Sequence, residues 1–115
     1  MALLAIALAA CGSTSSSASA SAVTGSALQR DCTAVADVLA DGPDPDADSV
    51  GYAEAQVLPL RQLTIGDAAL SRDVLTLARA YQAFSSGSGA GSHAAAAAVT
   101  KAENSVNSIC PQAAP

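Results

Sequence analysis

The chain has 115 residues and a mass of 11.2 kDa, room for one small domain and not for a two-domain enzyme. Ten acidic residues against five basic ones give a formal charge of −5, a balance that cannot neutralise a phosphate backbone and so excludes nucleic acid as an expected partner. Half of the residues are hydrophobic, but 29 are alanine, with one Phe, two Tyr and no Trp, and three cysteines are too few for a disulfide-dense scaffold.

The first element is an apolar run, Met1 to Ala10, closed by Cys11. Ten residues rise about 15 Å as a helix, half the roughly 30 Å of a hydrocarbon core, so the run is too short to span a bilayer. A short apolar core ending on small residues is instead the pattern of a secretory signal with its cleavage site. Residues Leu8-Ala9-Ala10-Cys11 have the form of a lipobox: one apolar residue, two small residues that let an extended backbone enter a peptidase groove, and a thiol that accepts diacylglycerol. On these residues the segment resembles the start of a bacterial lipoprotein, and the resemblance covers residues 1 to about 22. It implies that residues 1–10 are removed, that Cys11 is lipidated, and that the mature chain sits on the extracytoplasmic face of the cell membrane, held by at least two acyl chains, since one chain alone binds marginally. A signal peptide normally opens on Lys or Arg, and residues 1–10 contain neither, so either the reading frame is expected to extend upstream or the chain as it stands is expected to be exported poorly. Residues 11–23, almost entirely Ser, Ala, Gly and Thr, cannot bury enough apolar surface to fold and are expected to form a flexible tether spanning about 20 Å.

Residues 24–110 read as a helical domain. The first helix is expected from Ser26 to about Asp41, opened by a capping-box pattern at Ser26 and Gln29, striped by Leu28, Cys32, Val35 and Leu39, and stopped by Gly42 and Pro43. The second runs from near Ser49 to Ile65, with Val57, Leu60 and Leu63 as its apolar residues; Pro59 either kinks it or opens a new turn after a break. The third is N-capped by Asp67 and carries Leu70, Val74, Leu77, Tyr81 and Phe84 on one stripe, widened by Leu75 and Ala78. The fourth runs from Ser92 or His93 to Ile109, with Ala95, Val99, Ala102, Val106 and Ile109 facing inward; Pro111 ends it, and residues 111–115 are expected to fray. Four short helices with short connections predict an all-α, antiparallel up-and-down bundle.

That core is thin, with 18 Leu, Ile, Val or Phe residues between Ser26 and Cys110. A domain of this size is close to the limit at which one core suffices. With Cys11 committed to lipid, Cys32 and Cys110 remain, one on each terminal helix, and an exported location permits a disulfide between them. The alternative is two separate buried thiols.

Candidate chemistry is sparse. His93, the only histidine, stands at a helix N-terminus, which disfavours the imidazolium and suits a surface or capping role; a haem ligand is the sharper alternative. Asp44, Asp46 and Asp48 alternate like the first ligands of a calcium loop, but Ser49 and Ala55 stand where that loop needs Gly and Glu, so a solvated acidic turn is expected. Glu54 and Glu103 lack obvious partners for acid–base work, and Tyr52 and Tyr81 read as core rings. The sequence therefore predicts no catalytic residue, no metal and no cofactor. Its expected role is a monomeric, non-catalytic interaction module of the cell envelope, with an envelope protein as partner. A small-ligand carrier, for haem or lipid, is the alternative. The composition also resembles the small alanine-rich, two-cysteine lipoproteins of high-GC Gram-positive bacteria, a resemblance that implies no activity.

Overall fold

A computed structural model describes the backbone of residues 15–115 and the side chains from Gly25 onward. The signal segment, the lipobox and Cys11 lie outside the described residues. Among the described residues four helices follow in order, α1 (Ser15–Ala40), α2 (Ser49–Gln62), α3 (Ala68–Ser86) and α4 (His93–Ile109), and form the antiparallel up-and-down bundle. No helix among the described residues is long and apolar enough to cross a membrane.

The helix starts follow side-chain chemistry. Asp67 Oδ1 accepts from the Leu70 N–H at 2.8 Å, as expected, and Asp48 and Ser92 cap α2 and α4 in the same way through Gly51 and Ala95. Each satisfies an amide that the first turn leaves unpaired. Asp67→Ala is expected to destabilise the domain by about 1 kcal/mol in denaturant titrations. α1 differs from the expectation. It begins at Ser15, so Ser26 lies inside a helix rather than capping one, and residues 15–23 of the expected tether belong to that helix. Alanine is the strongest helix former, and no Pro or Gly interrupts the segment before Gly25. α2 ends at Gln62, three residues short of Ile65, and runs through Pro59 without a break. Pro59 is exposed on the outer side of the helix.

α3 organises the core. Leu70, Val74, Leu77, Ala78, Tyr81 and Phe84 are all buried, and α2 and α4 pack on its two flanks. A fully buried Leu contributes about 1.5–3 kcal/mol through water release. Leu75, expected to widen the stripe, is 46% exposed because it falls outside the arc that α2 and α4 cover. α1 lies against α2, inserting Val35 and Leu39, and is held at three further points. The Tyr52 hydroxyl donates to the Leu39 carbonyl at 2.6 Å. Asp31 Oδ2 accepts from the Gly66 N–H at 3.0 Å, tying the α2–α3 connection to α1. The third point is the Cys32–Cys110 disulfide, with Cα atoms 5.3 Å apart, which joins α1 to the end of α4.

The turn after α1 depends on glycine. Gly42 has φ +99°, and a Cβ there would stand 3.1 Å from Gln56 Nε2, which donates to the Asp41 carbonyl. Gly42→Ala combines backbone strain with displacement of that amide and is expected to lower stability by about 1 kcal/mol or more, read as a shift in urea midpoint at unchanged slope.

The C-terminal tail does not fray. Gln112, with φ 64°, turns the chain back, and the Asn107 side chain brackets Ala114, donating to its carbonyl at 3.2 Å and accepting from its N–H at 2.8 Å. Ala114 is buried against the core. One side-chain amide thus reproduces a pair of backbone hydrogen bonds, which a reading based on Pro111 and small residues does not anticipate.

Candidate functional site

Most polar side chains that could do chemistry are engaged in holding backbone. Asp44 Oδ1 accepts from the Asp46 N–H at 2.8 Å, and Asp48 caps α2, so the alternating aspartates form an exposed turn around their own amides. Among the described residues no three His, Cys, Asp or Glu side chains converge on a point that could hold a metal. His93 is exposed as the first residue of α4. Glu54 is exposed on α2.

Tyr52, Tyr81 and Glu103 are different. Tyr52 comes from the first turn of α2, Tyr81 from the last part of α3, and Glu103 from the middle of α4. They line one cavity of about 250 Å³, open on one side. The two rings meet edge to face, 5.8 Å between centroids at an interplanar angle of 89°, the arrangement that aromatic quadrupoles favour. This contact fixes α2 against α3 and sets both hydroxyls deep in the bundle. Tyr52 places its proton on the Leu39 carbonyl, and the buried Tyr81 hydroxyl makes no hydrogen bond of good geometry, with the Tyr52 hydroxyl as its one polar neighbour and no donor aimed at its oxygen. Leaving such a group unpaired costs about 1–3 kcal/mol. Phe84, Val99 and Ala96 supply apolar wall, and Asp46 and Thr100 stand at polar positions of the lining.

Glu103 occupies the fourth-helix side. It lies one residue after Ala102, at the boundary between the buried stripe and solvent, and is half-buried. Burial alone raises its carboxyl to about 7, with no hydrogen bond or cation opposing the effect. The only ion pair among the described residues is Arg72 with Asp73, on α3. Desolvation also pushes both tyrosines above their ordinary value, and the nearby Glu103 charge adds to the effect in each.

Sequence reasoning identified the disulfide pair and the two rings as core, and did not anticipate that Glu103 joins those rings. The available signal was its place on α4: Val99, Ala102, Val106 and Ile109 are inner residues, and position 103 sits four after Val99 on the edge of that stripe. Gln56 was also missed; it is buried on α2 among apolar side chains, with its Oε1 unpaired. Comparison with protein-family models, with curated proteins and with solved structures finds no match to this chain.

Proposed function

We propose that this chain is a lipid-anchored, extracytoplasmic, non-catalytic binding module of the cell envelope, attached to the membrane through Cys11 and engaging an envelope protein through its helical domain. The observation that carries this reading is the Cys32–Cys110 bridge, which joins the first helix to the end of the last and has a place in an oxidising compartment. The lipobox at Leu8-Ala9-Ala10-Cys11 supports the anchor. The use of Asp31, Asp44, Asp48, Asp67 and Asn107 to hold backbone favours a scaffold over a catalyst. A carrier for haem draws less support, because a cavity of about 250 Å³ falls below the range of drug-sized sites and His93 does not line it.

The test is the intact mass of protein recovered from the membrane fraction of its host. The expected species begins at Cys11, carries acyl chains and is two hydrogens lighter than the reduced chain. An unprocessed, reduced chain in the soluble fraction overturns the reading. Crosslinking on intact cells then identifies the neighbour, and recovery of none above background removes the interaction role while leaving the anchor.

A further inference from the structure

The cavity between α2, α3 and α4 holds two polar groups that the fold itself does not satisfy. One is the Tyr81 hydroxyl, on a side chain 1% exposed, which makes no hydrogen bond of good geometry and whose oxygen meets no donor, the neighbouring Tyr52 proton being placed on Leu39. The other is the Glu103 carboxyl, half-buried with no cation beside it. Both belong to one lining, contributed by separate helices, and the remaining wall is largely apolar and aromatic. A bundle that required only packing would be better served by Phe at 81 and an apolar residue at 103, since both changes remove a desolvation cost.

We propose that this cavity is a binding site for a small primary ammonium compound with an apolar tail, its charged end held by Glu103 and Tyr81 and its tail lying against Phe84 and Val99. An ammonium brings three donors and no acceptor, which matches a carboxylate and a phenolic oxygen that both lack a donor. Its bond to the carboxylate is charge-assisted and strong in a partly desolvated site. Ring faces attract cations, and three aromatic side chains, Tyr52, Tyr81 and Phe84, border the space. Of the residues that face Glu103 across the cavity, Asp46 from the α1–α2 connection carries the same sign of charge, α2 and α3 contribute the neutral Tyr52 and Tyr81, and the C-terminal tail contributes Pro115. Within α4, Lys101 is exposed and outside the lining. An anion would meet Glu103 and Asp46 in a chain of net charge −5. The volume of 250 Å³ admits about eight water-sized groups at roughly 30 Å³ each, so the ligand is a small amine and not a lipid.

The probe is n-butylammonium chloride, titrated into the full chain and followed by NMR, with sodium butyrate as the like-sized anion. Saturable shifts confined to Tyr52, Tyr81, Phe84 and Val99 are expected, with a Kd of about 1 mM or tighter for the amine and no saturation for butyrate. Glu103→Gln should weaken binding at least about tenfold, and Tyr81→Phe several-fold, both with the bundle intact. A second readout needs no variant. Amine binding draws Glu103 into its charged form, so the unmodified protein should release protons near pH 7, seen as a binding enthalpy that changes with the ionisation heat of the buffer. Equal responses to amine and butyrate, unchanged affinity in Glu103→Gln, or binding without proton release each overturn the proposal. So does the absence of any saturable shift, which would leave the cavity to ordered water. None of these outcomes depends on the membrane anchor, so failure here and failure of the envelope reading are separable.

Discussion

Reducing the Cys32–Cys110 bridge is expected to remove about 4–5 kcal/mol of stability, the loss given by chain entropy for a closed loop of 78 residues. A domain of this length has a total stability of about 5–10 kcal/mol, so the bridge accounts for a large share of it. The packing explains why so much falls on one bond. α3 is covered by α2 and α4, whereas α1 meets the rest of the bundle through Val35, Leu39, the Tyr52 hydroxyl and the Asp31 carboxylate. Alanines at inner positions allow close approach but remove little area from water. Urea titrations of the unmodified protein with and without reductant, and of a Cys32→Ser, Cys110→Ser double variant, measure the loss. A midpoint shift worth under 1 kcal/mol would mean that noncovalent contacts of α1 suffice, and would remove the stabilising role assigned to the bridge. Because the entropic gain acts on the unfolded chain, the bridged and unbridged proteins should have similar native spectra wherever both are folded.

The fold was legible where apolar spacing and capping chemistry agree. Leu70, Val74, Leu77, Tyr81 and Phe84 recur at helical intervals behind Asp67, and all five are buried. The cysteine pair was legible by position on the two terminal helices. The failures have physical causes of another kind. Ser26 resembles a cap, but its role depends on whether the residues before it are helical, and the Ser/Ala segment offers no local stop. Leu75 is as apolar as Leu77, and its exposure depends on which neighbours cover α3. The docking of residues 112–114 rests on Asn107, whose side chain reaches seven residues along the chain. The candidate site was the least legible part. Tyr52, Tyr81 and Glu103 come from three helices, and no local pattern connects them; only the antiparallel arrangement brings the first turn of α2 beside the end of α3 and the middle of α4.

That convergence makes stability depend on pH in a direction opposite to the usual one for a carboxylate. An acidic group that gains a salt bridge has its pKa lowered on folding and stabilises the protein above its unfolded value. Glu103 has no such partner, and burial raises its carboxyl from 4.5 to about 7 in the folded chain. Between these values the folded state keeps a proton that the unfolded state has released, so folding stability must fall as pH rises. The Glu103 contribution is fully present below about pH 4.5, declines through the window to about 7, and is lost above it. Fully desolvated, a shift of that size would correspond to about 3 kcal/mol, and the partial exposure of the side chain screens this to about 2 kcal/mol. Glu103→Gln keeps the shape and removes the charge. It should therefore match the unmodified protein near pH 4 and exceed it by about 2 kcal/mol at pH 8. Urea titrations of both proteins across this range isolate the effect, because every other titrating group is common to the two and cancels in their difference. Parallel stability curves would show that water reaches the carboxyl freely and would remove the buried acid from the site. If the curves diverge as expected, adding n-butylammonium at pH 8 should close part of the gap, since a bound cation raises the stability of the native chain and finds no carboxylate in Glu103→Gln.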